Sequence, residues 1–365
     1  MADLIVNTKK ITRNIEKLDK ILKAHNSKWT LVTKILSGNP KLLEPILNHP
    51  IIENLHSVGD SRLSSLRTIK KINPDVRTMY IKPPVQSLVK TVVQCADISL
   101  NSSFSTIEAL NEEARRQDKI HQVVIMVELG ELREGILREN IVDFYQRVFN
   151  LDHIETIGLG SNLGCMYGVE PTYDKLIQLS LYKELLESKF NRKLEIISGG
   201  SSITLPLIGK KKVPPAMNHY RIGEAAFVGT SPFDGKKFRD LSVDAFNVGA
   251  NIIELEQKEV VPDGNIGEGN VGHAAEFKGN ETEKRYRAIV DFGSIDVDVD
   301  ELFIKDKHIS FLGTTSDMTV YDLGKNLNQG NRTRYKVGDQ IKLITSYMAI
   351  ARLMNSKFTE VKIRR

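Results

Sequence analysis

The strongest constraint on the fold is a regular alternation of short β-rich runs and amphipathic stretches, from the start of the chain to about residue 230. Residues 105–116 and 173–186, for example, have the apolar spacing of helices that pack on a sheet. Such alternation predicts a parallel sheet, and eight units favour closure into a barrel over the alternative, a doubly wound open sheet. The predicted strands are residues 29–35, 52–56, 77–82, 97–101, 122–128, 154–160, 194–198 and 220–228.

The pattern changes after residues 231–235, where Ser-Pro-Phe-Asp-Gly marks a turn. Helical spacing fades there, and a chain of 365 residues is long enough for two domains. We therefore predict an α/β fold, with a (β/α)8 TIM-type barrel in residues 1–235 and a mostly β C-terminal domain in residues 236–365. The strands predicted in the second domain are residues 251–256, 285–292, 310–312, 318–323 and 340–346.

Composition excludes several classes of protein. The net charge is +5, from 51 basic and 46 acidic residues, and no aromatic-basic module accompanies it, so we do not expect a nucleic-acid partner. Two cysteines, Cys95 and Cys165, do not make a disulfide framework. The N-terminus lacks the pattern of a signal peptide, and no apolar run approaches the ~20 residues that span a bilayer. We therefore expect a cytoplasmic protein with no membrane partner.

Barrel enzymes carry their sites at the carboxyl ends of the strands, often with phosphate bound after strands seven and eight. Lys34 closes the first predicted strand, and we expect it to point into the barrel mouth. Partial desolvation there would favour its neutral, nucleophilic form. The alternative is a surface lysine at a strand end.

The seventh and eighth predicted strands lead into segments suited to an anion. Ser201 and Ser202 follow two glycines, whose backbone N–H groups can approach a phosphate closely. Arg221 and Gly223 lie on the eighth strand, followed by Glu224. An ordinary Gly/Ser turn, and an arginine paired with a barrel carboxylate, are the alternatives. A lysine opposite an anion-binding rim suits a phosphorylated aldehyde, pyridoxal 5'-phosphate.

At these positions the chain resembles the alanine racemase family, the fold-type III pyridoxal-phosphate enzymes, and is most similar to its alanine/ornithine racemase branch. The resemblance implies that Lys34 is the Schiff-base lysine and that Ser202, with Ser201 beside it, binds the cofactor phosphate. Arg221 matches the arginine that faces the pyridine nitrogen. Gly223, with Glu224 after it, matches the backbone that holds the phosphate.

Three further motifs carry the resemblance. Residues 128–135 resemble Asp-Thr-Gly-x-x-Arg-x-Gly, which implies that Arg133 supports the substrate. Residues 313–317 resemble Gly-x-x-Ser-Met-Asp, which implies that Ser316 and Asp317 approach the site of a partner subunit. Tyr347, in Ser-Tyr, would bind the cofactor phosphate.

The chain departs from the family at four places. Ser37-Gly38 replaces Tyr-Gly after the lysine, which removes one phosphate contact. Met126 stands where alanine racemases often carry a carbamylated lysine, so Arg133 needs another means of orientation. Asn162, which we expect on the substrate side, replaces a histidine near the ring. The tyrosine that serves as the second catalytic base is missing from the second domain.

The resemblance implies a homodimeric racemase that interconverts free L- and D-amino acids, with no metal ion and with each site completed across the interface. The substrate is alanine or a basic amino acid, ornithine or lysine. Lys34 would act as acid or base on one face of Cα. His273, in the glycine-rich loop 261–284, is the candidate for the other face, the alternative being a solvated loop histidine. A non-catalytic pyridoxal-phosphate homeostasis protein and a lyase on the same scaffold are the competing functions.

Overall fold

The computed structural model describes residues 2–210, 212–265, 272–274, 283–329 and 332–364. The chain forms two compact units, one of Thr8–Val243 and one of Met1–Asn7 with Asp244–Arg365. The boundary expected after residue 235 thus lies eight residues later, and the first seven residues join the second unit. The reason is that the first strand, β1 (Asp3–Asn7), forms its hydrogen-bonded ladders with two strands of the second unit, at residues 246–259 and 360–364.

The first unit is a closed barrel of eight parallel strands, which confirms the predicted TIM-type barrel and rules out the open sheet. Each strand pairs with the next, and the last pairs with the first, Leu31 opposite Ile222. The carboxyl ends of all eight strands therefore meet at one rim. The strands are β2 (Lys28–Val32), β3 (Ser57–Asp60), β4 (Thr78–Tyr80), β5 (Ile98–Asn101), β6 (His121–Met126), β7 (Ile154–Gly160), β8 (Ile196–Ser198) and β9 (His219–Ile222).

Helices follow the barrel strands, and their ends match local sequence signals. Asn39 caps the second helix, with Pro40 at its first position, and Thr172 caps the seventh. Within the described residues, no helix is both long enough and apolar enough to cross a membrane. The helices of this unit are α1 (Thr8–Lys23), α2 (Pro40–Leu47), α3 (Leu63–Ile72), α4 (Val89–Cys95), α5 (Phe104–Arg116), α6 (Ile141–Val148), α7 (Tyr173–Phe190), α8 (Leu205–Gly209) and α9 (Glu224–Phe227).

The strand predicted at residues 52–56 is wrong. Pro50–Asn54 is a 3-10 turn, and the strand is β3, Ser57–Asp60. The small residues of β3 hide it from a propensity argument, because Gly59 is unfavourable in an isolated strand. A Cβ atom at Gly59 would lie 2.8 Å from Ile81 Cγ2 and from Thr30 Cγ2, so packing demands glycine there.

The strand predicted at residues 220–228 is wrong in its second half. β9 ends at Ile222, and Glu224–Phe227 forms the short helix α9. Ala225, Ala226 and Phe227 are all buried. A helix that is buried all round has no amphipathic period, so its sequence resembles that of a buried strand.

The second unit is mostly β, as predicted. β10 is its long central strand, pairing antiparallel with β1, β12 and β18. The remaining elements are β10 (Phe246–Glu259), β11 (His273–Ala274), β12 (Lys284–Val290), β13 (Leu302–Ile304), β14 (Ser310–Thr314), β15 (Thr319–Asp322), β16 (Asn328–Gln329), β17 (Arg332–Thr333), β18 (Gln340–Thr345), α10 (Tyr347–Leu353) and β19 (Glu360–Arg364).

Candidate functional site

Arg221, on β9, is anchored at the carboxyl rim of the barrel by four acceptors. Its Nη1 donates to the carbonyl and to the hydroxyl of Ser198, at the end of β8. Its Nη2 donates to the Ser161 carbonyl at 2.8 Å and to Asn162 Oδ1 at 2.6 Å, both just after β7. One guanidinium therefore ties together the ends of three consecutive strands.

The network continues from Asn162 to the loop after β6. Asn162 Nδ2 donates to Glu134, and Glu134 forms an ion pair with Arg133, whose Nη2 lies 2.6 Å from Glu134 Oε1. Arg133 Nη1 also donates to the sulfur of Cys165 at 2.6 Å. Glu134 thus orients Arg133. It supplies the negative charge that Met126, in place of a carbamylated lysine, cannot provide.

A single carboxylate organises the loop after β7. Glu131 is 1% exposed and accepts hydrogen bonds from five backbone N–H groups, at 2.7 to 3.3 Å. These five donors order a loop that has little secondary structure of its own, and Asn162 lies near the start of that loop. The five donors belong to Gly164, Cys165, Tyr167, Gly168 and Val169.

Electrostatics keep this side of the rim charged. Burial lowers the pKa of Arg221 to about 10, with Glu134 opposing the fall, so the guanidinium stays protonated at neutral pH. Burial works against ionisation of Glu134, but the hydrogen bond and charge of Arg133 outweigh it and lower the pKa. The backbone N–H groups likewise lower the pKa of Glu131 against the effect of burial.

The glycine–serine segment after β8 turns sharply into the short helix α8. Gly200 has φ of +124°, and a Cβ atom there would overlap Thr204 Oγ1, so only glycine fits. Ser202 is 2% exposed, and its Oγ accepts the Ala225 N–H at 3.1 Å. Ser201 is more exposed than Ser202. The two phosphate-loop candidates after β8 and β9 are therefore joined through Ser202.

Gly223 ends β9 next to the strand that carries the lysine. A Cβ atom at Gly223 would lie 3.1 Å from the Val32 carbonyl, so a side chain there would crowd the end of β2. Glu224 follows, and its carboxylate accepts the Thr230 hydroxyl at 2.9 Å. Burial raises the pKa of Glu224, whereas Thr230 and the charge of Lys34 act in the opposite direction. Lys34 and Glu224 thus share one part of the rim.

Lys34 is exposed in the single chain, so the partial desolvation expected of its amine stays a prediction for the protein with its cofactor and partner bound. The strand ends at Val32, and Lys34 begins a 3-10 turn, Lys34–Leu36, above the buried layer. The residue before it is fixed, because Thr33 Oγ1 donates to the buried Asp60 carboxylate at 3.0 Å. Burial raises the pKa of Asp60 despite this hydrogen bond.

Four predicted site residues lie in the second unit. Ser316 donates to the exposed Asp317 at 3.1 Å, in the turn between β14 and β15. His273 is exposed and pairs through the β11 backbone with Thr314 of β14, two residues from that turn. Tyr347 is half-buried and begins α10, next to the capping residue Ser346. Most of loop 261–284 around His273 lies outside the described residues.

Sequence reasoning missed Glu131 and Glu134 as parts of this site, and it did not predict that Ser198 contacts Arg221. Glu131 and Glu134 stand inside the motif that singled out Arg133, so their proximity was a signal. Their roles depend on contacts with the loop after β7, about 30 residues away in sequence. His219, two residues before Arg221, was also missed. Residues two apart in a strand share a face, and this signal was available.

Comparisons with known proteins agree with this geometry. A family model described as "Alanine racemase, N-terminal domain" matches residues 6–232. An ornithine racemase of Acetoanaerobium sticklandii is 31% identical over 366 residues, covering 99% of each protein. A lysine racemase of Thermotoga maritima is 28% identical over 357 residues, covering 98% of this chain and 97% of that protein. The solved structure of an alanine racemase from Streptomyces coelicolor A3(2) shares the fold, with a TM-score of 0.73 at 15% identity, over 100% of this chain and 98% of that one.

Proposed function

The chain belongs to the alanine racemase family, whose members are pyridoxal-phosphate enzymes, and we propose that it racemises a basic amino acid, ornithine or lysine. The full-length similarity to an ornithine racemase and a lysine racemase carries the choice of substrate class. Similarity to the Streptomyces coelicolor structure is too low to support alanine, because 15% identity supports only the fold.

The described residues fit pyridoxal 5'-phosphate. The four Nη hydrogens of Arg221 all have protein acceptors, whereas Nε–H has no assigned acceptor among the described residues. A pyridine nitrogen is an acceptor of the kind this donor requires. Lys34 supplies an amine for the aldehyde. Ser201, Ser202 and the backbone at Gly223 would hold the phosphate.

The cofactor, when bound, withdraws electrons from Cα of the amino acid and so makes its proton acidic. Lys34 Nζ is the group that removes or returns this proton on one face of Cα. Arg221 would donate a hydrogen bond to the ring nitrogen and keep its own proton, which would leave that nitrogen uncharged and restrain side reactions. Arg133, oriented by Glu134, and Asn162 would hold the substrate.

Racemisation needs a second proton donor on the other face of Cα. His273 is our candidate, supported by its exposure and by its pairing next to the turn that carries Ser316 and Asp317. We propose that this turn completes the site of a partner subunit in a homodimer. The exposed Ile295 and Met318, 75% and 38% accessible, suit a protein interface at this end of the unit. The proposal places the enzyme in the cytoplasm.

The test is exchange at Cα. The protein, loaded with pyridoxal 5'-phosphate in deuterated water, is given L-ornithine, L-lysine or L-alanine, and optical rotation and deuterium incorporation are followed. We expect loss of rotation with deuterium at Cα for ornithine or lysine, faster than for alanine. Exchange with alanine alone would reject the substrate class. Bound cofactor without exchange on any of the three would favour the homeostasis protein, and cleavage of the amino acid would favour the lyase.

A further inference from the structure

The hydrogen bonds of Arg221 fix the direction of one hydroxyl proton. A guanidinium has only donors, so Ser198 Oγ must accept from Nη1. The single hydroxyl hydrogen of Ser198 must therefore find an acceptor elsewhere. Ser198 is 1% exposed, and its Oγ lies 2.8 Å from Nδ1 of His219.

His219 can receive that proton in only one neutral form. If Nδ1 accepts, the ring carries its hydrogen on Nε2, which lies 3.0 Å from Thr30 Oγ1. In the other tautomer Nδ1–H donates to Ser198, and the Ser198 hydrogen then has no assigned acceptor among the described residues. A buried donor left unpaired costs about 1–3 kcal/mol. The Nε2–H tautomer is therefore the one that the surroundings select.

The far end of the chain of hydrogen bonds is also satisfied. Thr30 Oγ1 accepts from His219, lies 2.7 Å from Ser57 Oγ, and has Met79 Sδ at 3.6 Å as an acceptor for its own proton. Met79 is on β4, two strands from Thr30 on β2, so these side chains meet inside the barrel. His219 is fully buried, and burial with the charges of His56 and Arg221 keeps its pKa well below the usual value, which excludes the doubly protonated ring.

We propose that His219 is a positioning residue for Arg221, acting through Ser198: its Nδ1 takes the Ser198 hydroxyl proton, so that Ser198 Oγ presents a lone pair to the guanidinium. The guanidinium is thereby held with Nε–H left for the ring nitrogen of the cofactor. This role rests on the proposed function, because Arg221 acts on the cofactor. The hydrogen bonds that join His219, Ser198 and Arg221 do not depend on the cofactor.

The barrel contains a matched control. His121 on β6 is 2% exposed, and its Nε2 lies 2.8 Å from Ser99 Oγ. Ser99 Oγ meets the amide of Asn101 instead of an arginine. A substitution at His121 thus removes a buried Ser–His hydrogen bond without reaching Arg221.

The experiment separates the two nitrogen atoms of His219. In His219→Asn the side-chain oxygen takes roughly the place of Nδ1 and still accepts from Ser198, whereas in His219→Gln the amide takes roughly the place of Nε2. We expect His219→Gln to lower kcat about tenfold to hundredfold with little change in KM, the scale seen when an outer hydrogen-bonding partner of a site residue is lost. It should also shift the pH dependence of the cofactor absorption. His219→Asn should recover most of both. His121→Asn, which lacks a group in the place of Nε2 and so loses the bond to Ser99, should leave both unchanged at a comparable loss of melting temperature.

A second measurement needs no activity. Nitrogen-15 NMR of the histidine-labelled full-length protein, without and with pyridoxal 5'-phosphate, should show His219 as the neutral Nε2–H tautomer, and Ser198→Ala should disturb that signal. An Nδ1–H tautomer, or equal defects in His219→Asn and His219→Gln, would overturn the proposal. If the protein racemises no amino acid, the proposed function fails, while the NMR signal and the cofactor absorption still decide the role of His219.

Discussion

The two sides of the barrel rim differ in how completely the chain fixes them. After β6 to β9, Arg221, Asn162, Glu134 and Arg133 form one hydrogen-bonded network, in which both terminal nitrogens of Arg221 have their acceptors in place. After β2, Lys34 is exposed on a 3-10 turn. The groups that would hold the cofactor ring are thus preorganised, whereas the amine that would react still needs water to be excluded around it. We infer that the cofactor, the substrate and a second subunit supply that exclusion.

Acid should destabilise the barrel through its buried histidines. Burial, together with the charge of Arg77, lowers the pKa of His56 to about 4, and burial lowers that of His121 to about 4. The unfolded chain binds protons at these histidines near pH 6.5 and the folded chain does not, so stability is complete above pH 6.5 and is lost as pH falls towards 4.

Each histidine should contribute a slope of about 1.4 kcal/mol per pH unit in the free energy of unfolding. Urea unfolding between pH 6.5 and 5, where the carboxylates with lowered pKa values remain ionised, measures this slope. His121→Gln should reduce this slope by the contribution of one histidine, about 1.4 kcal/mol per pH unit. A free energy that does not change over this range would contradict the neutral, buried state of these histidines.

Loss of the Glu131 carboxylate should loosen the loop after β7. Glu131→Gln leaves one acceptor oxygen for five backbone donors, so we expect a loss of about 1–3 kcal/mol in stability from the N–H groups left unpaired. The amides of residues 164–169 should exchange faster with solvent than in the parent. The control is Glu139→Gln, because Glu139 is exposed and lies, like Glu131, between β6 and α6. Unchanged exchange in Glu131→Gln would show that the loop is held by other contacts.

The barrel could be predicted from the sequence because its pattern is local. Residues 154–160 were predicted as a strand with the bounds that the structure has. β1 was missed because its partners, such as Gly249 opposite Asp3, lie far along the chain and no local pattern announces them. β3 was missed for a similar reason. Its Gly59 is required by packing against residues of neighbouring segments, and strand propensity does not show this.

The sequence predicted the residues that stand in recognisable motifs. It did not predict the residues that only position other residues of the site. Lys34 and Arg221 were predicted from their places at strand ends, and the structure has both at the ends of barrel strands. Glu131, Glu134 and His219 were missed. They lie close in sequence to predicted site residues, but their contacts with other strands and loops form only in the folded chain. The sequence left exposure of Lys34 open as an alternative, since it depends on where β2 stops.

The most direct test of the account is to find where the cofactor attaches. The protein saturated with pyridoxal 5'-phosphate is reduced with borohydride, digested and mapped by mass spectrometry. We predict a pyridoxyl group on Lys34, and loss of the covalent chromophore in Lys34→Ala. A pyridoxyl group on another lysine, or a Lys34→Ala variant that still binds the cofactor covalently, would contradict the account.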